Sequence, residues 1–179
     1  MSGVALTLRA LHHGERHLEQ ELVAVADRHR TDHEVHHVAT DLARWSDEHA
    51  DRIADAARAH GLDLKGGTEE EPGEGLLSAV REKTAEPPGH PPEPGLLLLR
   101  DLRSLHLAAA ENSLYWEMLA QYAQAAKDDR LLALSSACHP RTLRQMRWTN
   151  AMIKALSPQI LTALRTHGDR GASGRALVD

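Results

Sequence analysis

Between residues 61 and 95 the chain is punctuated by Gly66-Gly67, Pro72-Gly73, Pro87-Pro88-Gly89 and Pro91-Pro92, breakers that leave room for no more than a short helix over about 76–82. On either side the pattern is the opposite. Apolar residues recur three and four apart through Val4, Leu8, Leu11, Leu18, Leu22 and Val25, then through Val35, Val38, Leu42, Trp45 and Ile53. Beyond the break they run through Leu98, Leu102, Leu105, Ala109, Trp116 and Leu119. That period is one buried face of an α-helix. It predicts a first helix over about 4–29, a second reaching about 59 after a turn and cap at Thr31-Asp32, a third over about 96–127 and a fourth over about 130–156.

The short turns at Thr31-Asp32 and Asp128-Asp129 make antiparallel neighbours of the first and second helices and of the third and fourth. The long stretch between can span a bundle of roughly 40 Å, at a rise of about 1.5 Å per residue, so the third helix can begin at the end opposite to where the second stops. Short, long, short is the connection pattern of ferritin-like bundles. Pro140 is expected to kink or split the fourth helix near Ala137, and Ser157-Pro158 reads as a cap and first position of a short fifth helix over 159–166. The expected fold is all-α: one ferritin-like four-helix bundle over 1–168 with a crossover at 61–95 and a short fifth helix, then a flexible tail over 169–179.

A chain of 179 residues buries a core without help from disulfides or metal. Its single cysteine, Cys138, permits neither an internal disulfide nor a Cys-rich metal site. A net charge of −5 without a Lys/Arg cluster argues against nucleic acid as a partner. Residues 1–10 lack the pattern of a secretory leader and apolar runs such as 95–99, five residues long, are far too short to span a bilayer. A cytoplasmic protein with no membrane partner is the expectation, and a homodimer is the common state of such bundles.

Glu15 interrupts the apolar seam of the first helix between Leu11 and Leu18. Matching midpoints along the four helices sets it level with Glu111 on the third, with Trp45, Glu48 and His49 on the second, and with Leu143, Gln145, Met146 and Thr149 on the fourth. Core di-metal sites of such bundles take one Glu from each of two helices and a Glu plus a His from each of the others. The segment Gly14-Glu15-Arg16-His17-Leu18 resembles the Ala-Glu-Lys-Gln-Leu motif in the first helix of the small ferritin-like stress proteins of the YciE/YciF kind. The stretch from Trp45 to Ile53 is similar to their second-helix segment, with a His before Val/Ala-Glu-Arg-Leu, and Ala110-Glu111-Asn112-Ser113-Leu114-Tyr115 resembles their Glu-His-Tyr-Glu segment.

The resemblance implies that Glu15, His49 and Glu111 fall on metal-ligand positions. It also implies losses, because the second-helix Glu falls on Trp45 and the fourth-helix carboxylates on or near Gln145 and Thr149. Two dications a few ångströms apart need about four carboxylates to neutralise their repulsion in a low-dielectric core. Two Glu and one His suit one iron or manganese ion at most. The function implied is a ferritin-like stress or accessory protein with a degenerate metal site and without full di-iron ferroxidase activity. The alternative is a metal-free helical module for oligomerisation or partner binding, with Glu15, His49 and Glu111 in a hydrogen-bonded cluster.

Other signals are weaker. His29, His33, His36 and His37 crowd the first turn, and the His33/His37 pair has the spacing that chelates zinc, nickel or copper, although such clusters are usually solvated surface. His17 and Glu21 alone have a hemerythrin-like spacing. Cys138-His139 runs straight into Pro140 with no orienting carboxylate, and Gly168-Asp169-Arg170-Gly171 lacks the strand context of a phosphate loop. Trp45, Trp116 and Trp148 read as core filling, and a ligand pocket beneath Pro140 beside them is a third, lesser reading.

Overall fold

The computed structural model describes residues 2–64 and 93–173, with side chains as far as 163. The described residues form four helices and no strand: α1 (Gly3–Arg28), α2 (His33–Ala59), α3 (Pro94–Ala126) and α4 (Asp129–Ser173). Local chemistry explains the boundaries. The Ser2 hydroxyl accepts from the Ala5 amide at 3.3 Å, and Asp32 accepts from the Val35 amide at 3.1 Å with Glu34 in the same first turn. Pro94 opens α3, where its missing N–H costs nothing. Lys127 ends that helix in the left-handed region at φ 56°, and the Asp128 amide returns to the Ala123 carbonyl at 2.8 Å. Asp128 Oδ1 then accepts from the amides of Arg130 and Leu131, so α4 starts at once.

Each helix packs on two neighbours: α1 on α2 and α3, α4 on α3 and α2. His29 near the end of α1 meets Asp101 near the start of α3, so these two run antiparallel. His60 at the end of α2 lies 3.3 Å from Asp128 at the end of α3, so this pair runs parallel across the bundle's diagonal. Consequently α3 begins at the opposite end from where α2 stops, the topology for which the long connection leaves room. The expected helix over 76–82 lies outside the described residues.

Two apolar clusters fill the bundle. One gathers Leu18, Leu22 and Val25 with Val35, Leu42, Leu102 and Leu105. The other gathers Leu8 and Leu11 with Ile53, Trp116, Leu119, Leu131 and Cys138. Between them lies a polar layer. No helix among the described residues is long and apolar enough to cross a membrane.

The fourth helix corrects the expectation. It runs unbroken through Pro140 and Pro158, so there is neither a split near Ala137 nor a separate fifth helix, and residues 169–173 continue it. A proline inside a helix costs about 3 kcal/mol, an amount that packing can offset. Cys138 and Thr142 are fully buried around Pro140, and past Pro158 the Ile160 side chain lies against Gly95 at the start of α3.

Because Lys127 carries a Cβ in the left-handed region, Lys127→Gly is expected to stabilise the protein by about 1 kcal/mol. A higher urea midpoint with unchanged slope is the measurement that checks it.

Candidate functional site

The polar layer sits where the sequence places the bundle's middle. Along α1 the core positions 8, 11, 15, 18 and 22 keep the three-and-four spacing, so Glu15 points inward like its apolar neighbours and is fully buried. On α2 the same logic buries Ser46 and His49. The Trp116 indole N–H donates to Glu15 Oε1 at 3.0 Å, and the His49 ring meets the Trp116 ring edge-on, with centroids 5.8 Å apart. His49 Nδ1 stands 3.3 Å from the same Oε1, close enough for attraction but out of line for a hydrogen bond. Glu15 and His49 therefore come together as expected.

Glu111 does not join them. Its side chain is exposed, and the inward position at that height belongs to Asn112, at 1% exposure. The reason is helical phase. The α3 seam runs through Leu105, Ala109, Asn112, Trp116 and Leu119, alternating four and three, and Glu111 lies one residue, or about 100°, off that line. The expected set of Glu15, His49 and Glu111 is thus not assembled, and the alternative hydrogen-bonded cluster of these three is not assembled either.

What faces Glu15 and His49 instead is neutral. Gln145 Nε2 donates to the Leu42 carbonyl at 3.2 Å and to Ser46 Oγ at 2.9 Å. Thr142, Thr149 and Cys138 complete the inner side of α4. Burial pushes the Cys138 thiol up to about 11, the Arg52 and Arg141 charges only partly opposing it, so this cysteine is an inert core residue. Glu15 Oε2, His49 Nε2, Asn112 Nδ2, Thr142 Oγ1 and Gln145 Oε1 are buried without a hydrogen-bond partner in the protein.

A resident iron or manganese fits this donor set poorly. One carboxylate already engaged by an indole, one imidazole, and amides and hydroxyls elsewhere leave a dication uncompensated in a low-dielectric interior. Among the described residues, no group of three or more His, Cys, Asp or Glu side chains gathers where it could hold a metal ion.

Two features escaped sequence reasoning. His29, read as part of a solvated cluster, is 9% exposed, and its Nε2 lies 2.8 Å from Asp101 Oδ2, which Arg28 also reaches at 2.5 Å. Asp101 directly precedes the core residue Leu102, a carboxylate beside the seam that could have flagged the pairing. The second is Gly14. A Cβ built there would lie 2.1 Å from Asn112 Oδ1, so the Asn112 amide occupies the space that glycine leaves and would have to shift for any larger residue. His33 and His37 are exposed with ring centroids 6.1 Å apart, and His36 Nδ1 is tied to the Ala26 carbonyl at 2.9 Å. A hollow of about 150 Å³ lies between Ser2, Gly3, Val4, Thr7, Leu119 and Tyr122, away from Pro140.

No family model, curated protein or solved structure matches the chain.

Gly14→Ala is expected to cost about 1–3 kcal/mol by displacing the buried Asn112 amide, and the added change Asn112→Ala should recover much of it. Denaturant titration of both single variants and the double variant checks this; strictly additive losses would refute it.

Proposed function

We propose that the chain is a ferritin-like helical module that works through contact with other polypeptides, its central layer serving to fix packing instead of holding a metal. The observation that carries this reading is the exchange of Glu111 for Asn112 at the inward position of α3. It leaves Glu15 as the only carboxylate among the described residues that reaches the layer, opposite Gln145 and Thr142. Support for the ferritin-like part comes from the short turns around a long connection, the antiparallel α1/α3 pair, and the meeting of Glu15 with His49 at mid-height. A polar layer of this kind specifies one alignment of the helices, since any other pairs its groups with hydrocarbon.

The test is metal analysis of protein purified from iron- and manganese-supplemented culture. A metal-to-chain ratio near zero, unchanged by Glu15→Ala, is expected, together with a thermal midpoint that chelator does not move. A ratio approaching one that Glu15→Ala abolishes would restore the single-ion reading with Glu15 and His49 as ligands.

A further inference from the structure

The outer faces of α3 and α4 carry matching stripes. On α3, Leu96, Arg100, Arg103 and Leu107 follow one another at steps of four, three and four, a single line on the side away from the core seam, and all are exposed. On α4, Leu143, Arg147, Asn150, Lys154 and Leu161 form a second exposed line at steps of four, three, four and seven. Contacts between the helices fix their register. His106 Nδ1 lies 3.2 Å from the Met146 carbonyl oxygen, Ser113 Oγ lies 2.8 Å from His139 Nε2, and Ile160 lies against Gly95. Leu107 is thereby level with Arg147, Arg103 with Asn150 and Arg100 with Lys154, while Leu96 falls between Lys154 and Leu161. The two stripes make one surface, on which four leucines, 40% to 51% exposed, stand toward the ends and four cations stand between them.

The charge around this surface is one-sided. From Arg130 to Ala163, α4 has five cationic side chains, Arg130, Arg141, Arg144, Arg147 and Lys154, and no acidic one. Between Pro94 and Ala110 the single acid of α3 is Asp101, buried beneath Arg28 and His29, and the exposed Glu93 and Glu111 bound the patch. By contrast α1 and α2 together carry ten acidic side chains against six basic ones. Among the described residues, Arg103, Arg144, Arg147 and Lys154 have no carboxylate partner. Cations scattered along an acidic chain are thus gathered on one face by the packing of two helices. Unpaired cations call for an anion, and exposed leucines interleaved with them call for hydrocarbon. Nucleic acid supplies the first and buries little of the second. A helical peptide needs a groove, and the hollow beside Ser2 and Tyr122 lies at the other end of the bundle. An anionic bilayer surface supplies phosphates at the level of the cations and acyl chains beneath for the leucines, with no groove and no spanning segment.

We propose that the paired stripes of α3 and α4 are a docking face for an anionic lipid surface, with the acidic α1 and α2 turned away from it. This goes beyond the reading of the chain as a module for polypeptide contact and stands without it. Co-sedimentation of the full chain with vesicles of equal parts phosphatidylserine and phosphatidylcholine is the test. The chain should bind these vesicles, leave them in high salt, and ignore vesicles of phosphatidylcholine alone. Arg147→Glu should weaken binding by about tenfold or more, whereas Arg58→Glu, the same change of charge placed on α2, should alter it by less than about twofold. The double variant Leu107→Ser/Leu161→Ser should also weaken binding by about tenfold, with helical circular dichroism unchanged. A chain that ignores the mixed vesicles, equal losses from Arg147→Glu and Arg58→Glu, or a leucine variant that binds like the parent would overturn the proposal. Tighter binding to single-stranded DNA, indifferent to the leucine changes, would overturn it too and make a polyanion the partner.

Discussion

A carboxylate with no access to solvent governs the middle of this bundle. Glu15 is fully buried, and a carboxyl group in such a place is costly unless polar neighbours meet it. The Trp116 indole supplies one hydrogen bond, and His49 closes from α2, so three helices meet at a single atom, Oε1 of Glu15. The two apolar clusters to either side then have their relative heights set, because sliding any of the three helices would part Glu15 from Trp116 or from His49. Hydrophobic burial contributes most of the driving force for collapse, whereas this contact selects one alignment from the several that apolar seams of regular spacing would accept.

Much of the architecture was legible because it depends on periodicity and on breakers. The seams of α1, α2 and α3 stand in the sequence at intervals of three and four, and the cap at Asp32 marks where the second begins. The fourth helix was less legible. Pro140 and Pro158 are local signals against helix, and what overrides them is tertiary: burial of Cys138 and Thr142, and the seating of Ile160 on Gly95. The site was half legible for a related reason. Equal height along a bundle follows from counting residues, but rotation about each axis follows from phase, and a carboxylate at the right height drew the choice to Glu111. The seam itself points elsewhere, since a step of three from Ala109 falls on Asn112. His29 shows the same limit in reverse, because a histidine in a crowd of histidines reads as surface until its partner Asp101, far away in sequence, is in place.

The distribution of polar groups separates holding a fold together from offering chemistry. Inside, the polar side chains are mostly amides and hydroxyls, groups that orient neighbours without activating water or binding hard cations strongly. Outside, α3 presents Leu107, Leu114 and Met118 to solvent.

The notch at Gly14 has a mechanical consequence. Asn112 sits in it so closely that a methyl group there would collide, and the residues about one turn to either side, Ala10, Leu11, His17 and Leu18, all carry the Cβ that Gly14 lacks. Travel of α1 along α3 by a turn in either direction would therefore bring a Cβ against the Asn112 amide, which would have to leave its seat to let it pass.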